Sequence, residues 1–157
     1  MIRIPRFVPV LTALALAPIL APILASAGPA RAQGSSEAAS GMLVELNAAA
    51  ETPAGACRLT YVATNRSETG LSEIAYEVAV FDAEGIVSQL LVLDFGAMAP
   101  GKTRVVQFDM PDQPCDAISR IVVNAAPGCV RAEDGAESPL CLDGLETRAR
   151  GAIQFGL

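Results

Sequence analysis

The sequence predicts an all-β domain, a sandwich of two antiparallel sheets built from about seven strands and preceded by a signal peptide. Three observations predict it. Apolar residues recur at every second position through most of the chain after residue 41. Turn-forming residues interrupt them about every ten residues, the spacing of sandwich strands. No stretch of that region carries the 3.6-residue apolar period of a long amphipathic helix.

Residues 1–32 stand apart. They contain no acid and three arginines, Arg3, Arg6 and Arg31, around an apolar run from Phe7 to Leu24. Small residues follow and end in Ala30-Arg31-Ala32. A charged start, an apolar middle and an A-x-A ending, in that order, describe a secretory signal peptide. A retained membrane anchor would use the same apolar run, but Pro9, Pro18 and Pro22 interrupt it. No Arg-Arg pair is present, so the general secretory route is expected. Cleavage after Ala32 leaves a single domain beginning at Gln33, with 33–41 as a flexible Gly/Ser/Ala leader. The sandwich is expected over 42–157.

The strands follow in order. Met42–Ala48 is the first candidate, and Glu51–Gly55 with Pro53 turns the chain. Cys57–Asn65 alternates cleanly, with Cys57, Leu59, Tyr61 and Ala63 on one face and Arg58, Thr60 and Thr64 on the other. Ser72–Asp82 has an inward row of Ile74, Tyr76, Val78 and Val80. Asp82-Ala83-Glu84-Gly85 is a hairpin turn, opened by Asp and closed by a Gly free to take positive φ. Ile86–Phe95 completes the hairpin. Ala99-Pro100-Gly101-Lys102 turns into a strand at Thr103–Phe108. Ala117–Asn124 is the next strand. Residues 125–141 carry Pro127, Gly128, Gly135 and Pro139 and are expected to be irregular, so that a Cys-containing loop spans 125–149. Leu142–Ala149 is expected to include a helical turn, and Gly151–Phe155 a last short strand. The architecture is immunoglobulin-like only in outline, because no Trp is available to pack on a central disulfide.

Thr64-Asn65-Arg66-Ser67, Val80–Val87 and Ala99-Pro100-Gly101-Lys102-Thr103 together resemble the FxLYD-like group of bacterial extracytoplasmic sandwich domains. The resemblance covers roughly residues 42–124, and its turn chemistry is of the general hairpin kind. The chain is also similar to short exported proteins of alphaproteobacteria, through LLVLDFGAMAPGKTRVVQFDMP and CDAISRIVVN. The resemblance implies a sandwich fold and an envelope location. It implies no catalytic residue.

Four cysteines remain after signal removal: Cys57, Cys115, Cys129 and Cys141. An even number in an exported chain reads as two disulfides. Three pairings are possible. Cys57–Cys115 with Cys129–Cys141 is preferred, since the first would join an early strand to a late one and the second would close the Pro/Gly/acid-rich loop. No C-x-x-C occurs, so a thioredoxin-like role lacks its motif.

Charge and composition narrow the function. The chain has 11 basic and 17 acidic residues, and loss of the three signal arginines leaves a net charge of −9. Such a domain repels phosphate backbones and anionic membranes, so neither nucleic acid nor membrane binding is expected. Histidine is absent, which excludes Ser-His-Asp and Cys-His catalysis and leaves zinc without its commonest ligand. Lys102, the only lysine, sits in a Pro-Gly turn, where a solvated role outweighs a Ser-Lys dyad. Asp82, Glu84 and Asp94 could form a carboxylate pair, but the first two are turn formers by type and only two Tyr and no Trp are present to stack a sugar. Met42, Met98 and Met110 read as core rather than as a copper site. Asn65-Arg66-Ser67 fits the N-x-S pattern, for which a turn role is sufficient.

A non-enzymatic periplasmic binding or accessory module is therefore expected. It would serve a protein partner in the cell envelope, use no cofactor, and offer edge strands to an extended segment. The alternative is a small-ligand or calcium-binding domain using the acidic 133–143 loop, with Glu133, Asp134, Glu137 and Asp143 as oxygen ligands. That loop lacks the D-x-D-x-D-G ligand order, and a solvated acidic loop explains it as well.

Overall fold

The computed structural model describes residues 41–157. The expected signal peptide, 1–32, and all of the expected leader but Gly41 lie outside the described residues. Eight strands occur among the described residues: β1 Met42–Glu51, β2 Cys57–Asn65, β3 Leu71–Phe81, β4 Val87–Asp94, β5 Thr103–Met110, β6 Arg120–Arg131, β7 Glu146–Ala149 and β8 Gln154–Gly156. A short helix, α1, covers Leu140–Asp143. The strands form two four-stranded sheets, in the orders β5-β2-β1-β7 and β4-β3-β6-β8.

The alternation read from the sequence decides which side of each sheet is covered. Cys57, Leu59, Tyr61 and Ala63 of β2 are buried, and so are Ile74, Tyr76, Val78 and Val80 of β3. With Met42, Val44 and Leu46 of β1 they make up much of the core between the sheets. Each large apolar side chain taken out of water there contributes roughly 1.5–3 kcal/mol. In the absence of Trp, the core's centre is aromatic. Tyr61 meets Phe95, Phe108 and Phe155 edge-on at ring-centroid separations of 6.0, 6.0 and 5.3 Å. Tyr76 meets Phe95 at 5.7 Å. Edge-on geometry sets the positive rim of one ring against the negative face of the next.

The β3–β4 hairpin forms where the turn residues placed it. Asp82 Oδ1 accepts the N–H groups of Glu84 at 3.1 Å and Ile86 at 2.8 Å, and Gly85 takes φ 81°. The pairing shifts register where Val80 faces Gln89 and Phe81 faces Val87, which leaves Ser88 as the extra residue of a bulge.

Two expectations for the C-terminal third are corrected. Residues 125–131 are not irregular: β6 continues through Pro127 and Gly128. Its pairing to β3 shifts register between Ala75 and Glu77, so Pro127 falls where the ladder is already broken and its missing N–H costs nothing. Gly128 completes the device. A Cβ there would come within 2.6 Å of the Glu73 carboxylate and 3.0 Å of the Ala75 side chain.

Nor is 142–149 a helical turn throughout. α1 ends at Asp143, and Glu146–Ala149 is the strand β7. β7 pairs with β1, and β8 with β6, in parallel, so the sheets are antiparallel except at these two late additions. Both disulfides of the preferred pairing are present. Cys57–Cys115 ties the start of β2 to the 3-10 turn Cys115–Ala117 ahead of β6, and Cys129–Cys141 ties β6 to α1. The Tyr76 hydroxyl donates to the Cys141 carbonyl at 2.9 Å and anchors the same helix to the core.

Candidate functional site

The four acids of the 133–143 loop do not converge. Glu133, Asp134, Glu137 and Asp143 are all exposed. Asp134 is held by Arg131, through Nε at 3.0 Å and Nη2 at 2.6 Å, and also accepts the Ala136 N–H at 3.0 Å. The guanidinium first, and the backbone N–H second, keep its carboxyl below the usual carboxylate range. Among the described residues no three carboxylate, thiolate or imidazole groups are placed to share a metal ion. Asp82 serves the hairpin turn, and Asp94 Oδ1 accepts the Gly96 N–H at 2.7 Å. Met42, Met98 and Met110 are core.

Asn65 is more embedded than its N-x-S context suggests. It is fully buried, and all its amide positions are used. Nδ2 donates to the Thr69 and Met98 carbonyls at 2.8 and 3.2 Å, while Oδ1 accepts from Ser67 N at 3.0 Å and Ser67 Oγ at 2.7 Å. It clasps two turns together.

Three surface depressions of about 180, 260 and 250 Å³ lie beside β8, beside Arg150–Ile153 and beside Pro127. Each falls below the roughly 300 Å³ at which small-molecule sites begin.

The sheet edges are more informative. A bare edge offers unpaired N–H and C=O groups to any extended chain, and proteins blunt it with short strands or charge. β7 has four residues and β8 three. β5 has eight but carries Arg104 and Asp109, the latter paired to Arg58 at 2.6 Å. β4 has eight residues, VSQLLVLD, with no proline and no charge before Asp94.

β4 also exposes apolar side chains. Val87, Leu90 and Val92 are 47, 63 and 58% exposed, and Ile86 of the preceding turn 65%. They belong to the outer face of their sheet, since Leu91 and Leu93 pack inward. Leu90 pairs with Ala79, Ala79 with Val122, and Val122 with Gly156, so an uncharged row crosses all four strands. The backbone follows the same alternation. Phe95 N–H donates to the Ile74 carbonyl at 2.8 Å, which turns Leu93 and Leu91 toward β3 and leaves the N–H and C=O of Leu90 and Val92 at the open edge.

The start of β4 is fixed from behind. Gln113, buried, accepts from Gln89 Nε2 at 2.9 Å and donates to Ser88 Oγ at 3.1 Å.

Charges mark the two ends of this edge. Salt bridges engage Arg58, Arg66, Arg131, Arg148 and Arg150. Arg104 and Arg120 have no carboxylate partner among the described residues, and both flank β4. Arg104 donates to the Ala97 carbonyl at 3.2 Å, just past the strand's end. Arg120 lies over the Phe81 ring at 4.0 Å, near its start, beside the turn that carries Asp82 and Glu84.

The sequence marks β4 as a strand but not as an exposed edge. QLLVL is apolar on both faces, which is also how a strand buried on both sides reads. Only sheet order separates the two.

No protein-family model matches the chain, and no curated protein matches it. Among solved structures, IrmA from Escherichia coli superposes with a TM-score of 0.52, at 10% sequence identity, over 68% of this chain and 89% of that one. At that identity the likeness shows the fold alone: a β-sandwich of a kind already seen in a solved protein.

Proposed function

We propose that the protein is a non-enzymatic binding or accessory module of the bacterial periplasm, and that it docks an extended segment of a protein partner along β4. The observation that carries the reading is an eight-residue edge with no proline and no charge before Asp94, lined by exposed Leu90 and Val92 and regular from Gln89 onward, past its one bulge at Ser88. Strand addition gives affinity through main-chain hydrogen bonds, and the apolar row beside the edge would select alternate side chains of the added strand. Two disulfides are the chemistry of an oxidising compartment, which supports the periplasm. The signal-peptide reading of residues 1–32 and the resemblance to FxLYD-like extracytoplasmic domains support the same location.

Affinity capture from the envelope fraction tests the reading. The wild-type protein is expected to retain a specific partner that Val92→Lys loses, because a lysine at an edge opposes strand addition. Repeated capture of no specific protein, or capture indifferent to both Val92→Lys and Leu90→Lys, would overturn it.

A further inference from the structure

We infer that β4 is also self-complementary, and that a second copy of this chain docks on it in antiparallel register about Leu91; the inference rests on reading β4 as a docking edge. In that register Leu91 faces Leu91 across a twofold axis, and Leu90 of each copy faces Val92 of the other. Leu90 and Val92 are the residues whose backbone groups point to the open edge, so these are hydrogen-bonded pairs, with side chains about 5.5 Å apart at Cα. The two four-stranded sheets become one sheet of eight. Their outer faces join in a single apolar stripe of Leu90 and Val92 from both copies, with Ala79 behind each Leu90 and Glu77, engaged by Asn124, behind each Val92. A twofold axis requires one patch to match itself, and this strand does.

Charge selects this occupant. Two copies of a domain at net −9 repel unless they meet where acids are absent. The stretch from Ile86 to Leu93 is free of charge. Its ends are complementary rather than merely neutral. Antiparallel pairing brings the start of one β4 against the end of the other. The Asp82–Glu84 turn of one copy then meets Arg104, held at the Ala97 carbonyl of the second. Asp94 of that second copy lies across from Ser88 and looks toward Arg120 on Phe81. The two arginines without carboxylate partners among the described residues thus find acids on the other copy, twice over by symmetry. The same register keeps Asp94 away from its own symmetry mate.

Sedimentation of the protein recovered from its native cell tests the inference. A species of about twice the chain mass is expected. Leu90→Lys and Val92→Lys, both at exposed side chains, should give monomers with unchanged circular dichroism, which melt where the wild type melts once diluted to monomer. Arg104→Glu should weaken the dimer at least about tenfold, and adding Glu84→Arg to the same chain should restore it. A second reading needs no variant: amide exchange at Leu90 and Val92 of the wild type should slow as protein concentration rises. A wild-type chain that stays monomeric, with concentration-independent exchange there, overturns self-association and leaves strand docking to its own capture test. A dimer indifferent to both lysines also overturns it.

Discussion

Two buried tyrosines put the same hydroxyl in opposite situations. The Tyr76 O–H donates to the Cys141 carbonyl, whereas the Tyr61 O–H is buried without a hydrogen-bond partner among the described residues. An unsatisfied buried polar group costs about 1–3 kcal/mol, and a satisfied one contributes about 1 kcal/mol. Tyr61→Phe should therefore raise stability by about 1 kcal/mol and Tyr76→Phe lower it by about as much, as read by urea denaturation. Burial pushes both hydroxyls well above their ordinary value of 10.0. Their protons stay on in the folded state after the unfolded chain has lost them. The stability linked to these groups is thus full below about pH 10 and falls as pH rises beyond it, with a smaller fall in Tyr61→Phe. A pH series of melting curves reads this directly. At this scale the sequence was legible where a residue type has one plausible role: the four cysteines, Gly85 and the inward rows. Asn65 shows the limit. Its turn role was visible, but the Met98 carbonyl that completes its bonding lies 33 positions away.

At the level of elements, the strands with strict alternation were readable to within a few residues, and β2 has the limits its pattern predicted. The misreadings share one physical cause. Pro127 and Gly128 signal a break when read locally, yet a register shift in the β3–β6 ladder accommodates both. β7, with the sequence ETRA, has no apolar alternation at all and exists because β1 has a free edge to pair. Its approach depends on close packing just before it. A Cβ on Gly144 would lie 2.8 Å from the Gly41 Cα, and a Cβ on Gly41 would lie 2.2 Å from the Gly144 carbonyl oxygen. Gly144→Ala should therefore cost about 1–3 kcal/mol by overpacking and loosen β7 first. Faster amide exchange in 146–149 than in β2 is the expected signature. The candidate docking edge was the least legible element, because QLLVL carries no mark of whether a neighbour covers it. Strand order alone leaves β4 outermost.

The whole molecule is a modest core held by two covalent ties. In the chain-entropy account a crosslink stabilises by restricting the unfolded chain, more so for a longer loop. The bridges here span 58 and 12 positions. Replacing Cys57 and Cys115 together by Ala should then cost about 4 kcal/mol, against about 3 kcal/mol for Cys129 and Cys141. Chemical denaturation of the two double variants orders them. Both ties need an oxidant during folding, and so the fold, the compartment and the proposed envelope role stand or fall together. The most direct test is a non-reducing peptide map, by mass spectrometry, of the protein taken from its native cell envelope. The expected chain begins at Gln33 and carries bridges 57–115 and 129–141. An intact Met1 with four free thiols would contradict it, and would put β4 in a reducing compartment, away from the envelope partner proposed for it.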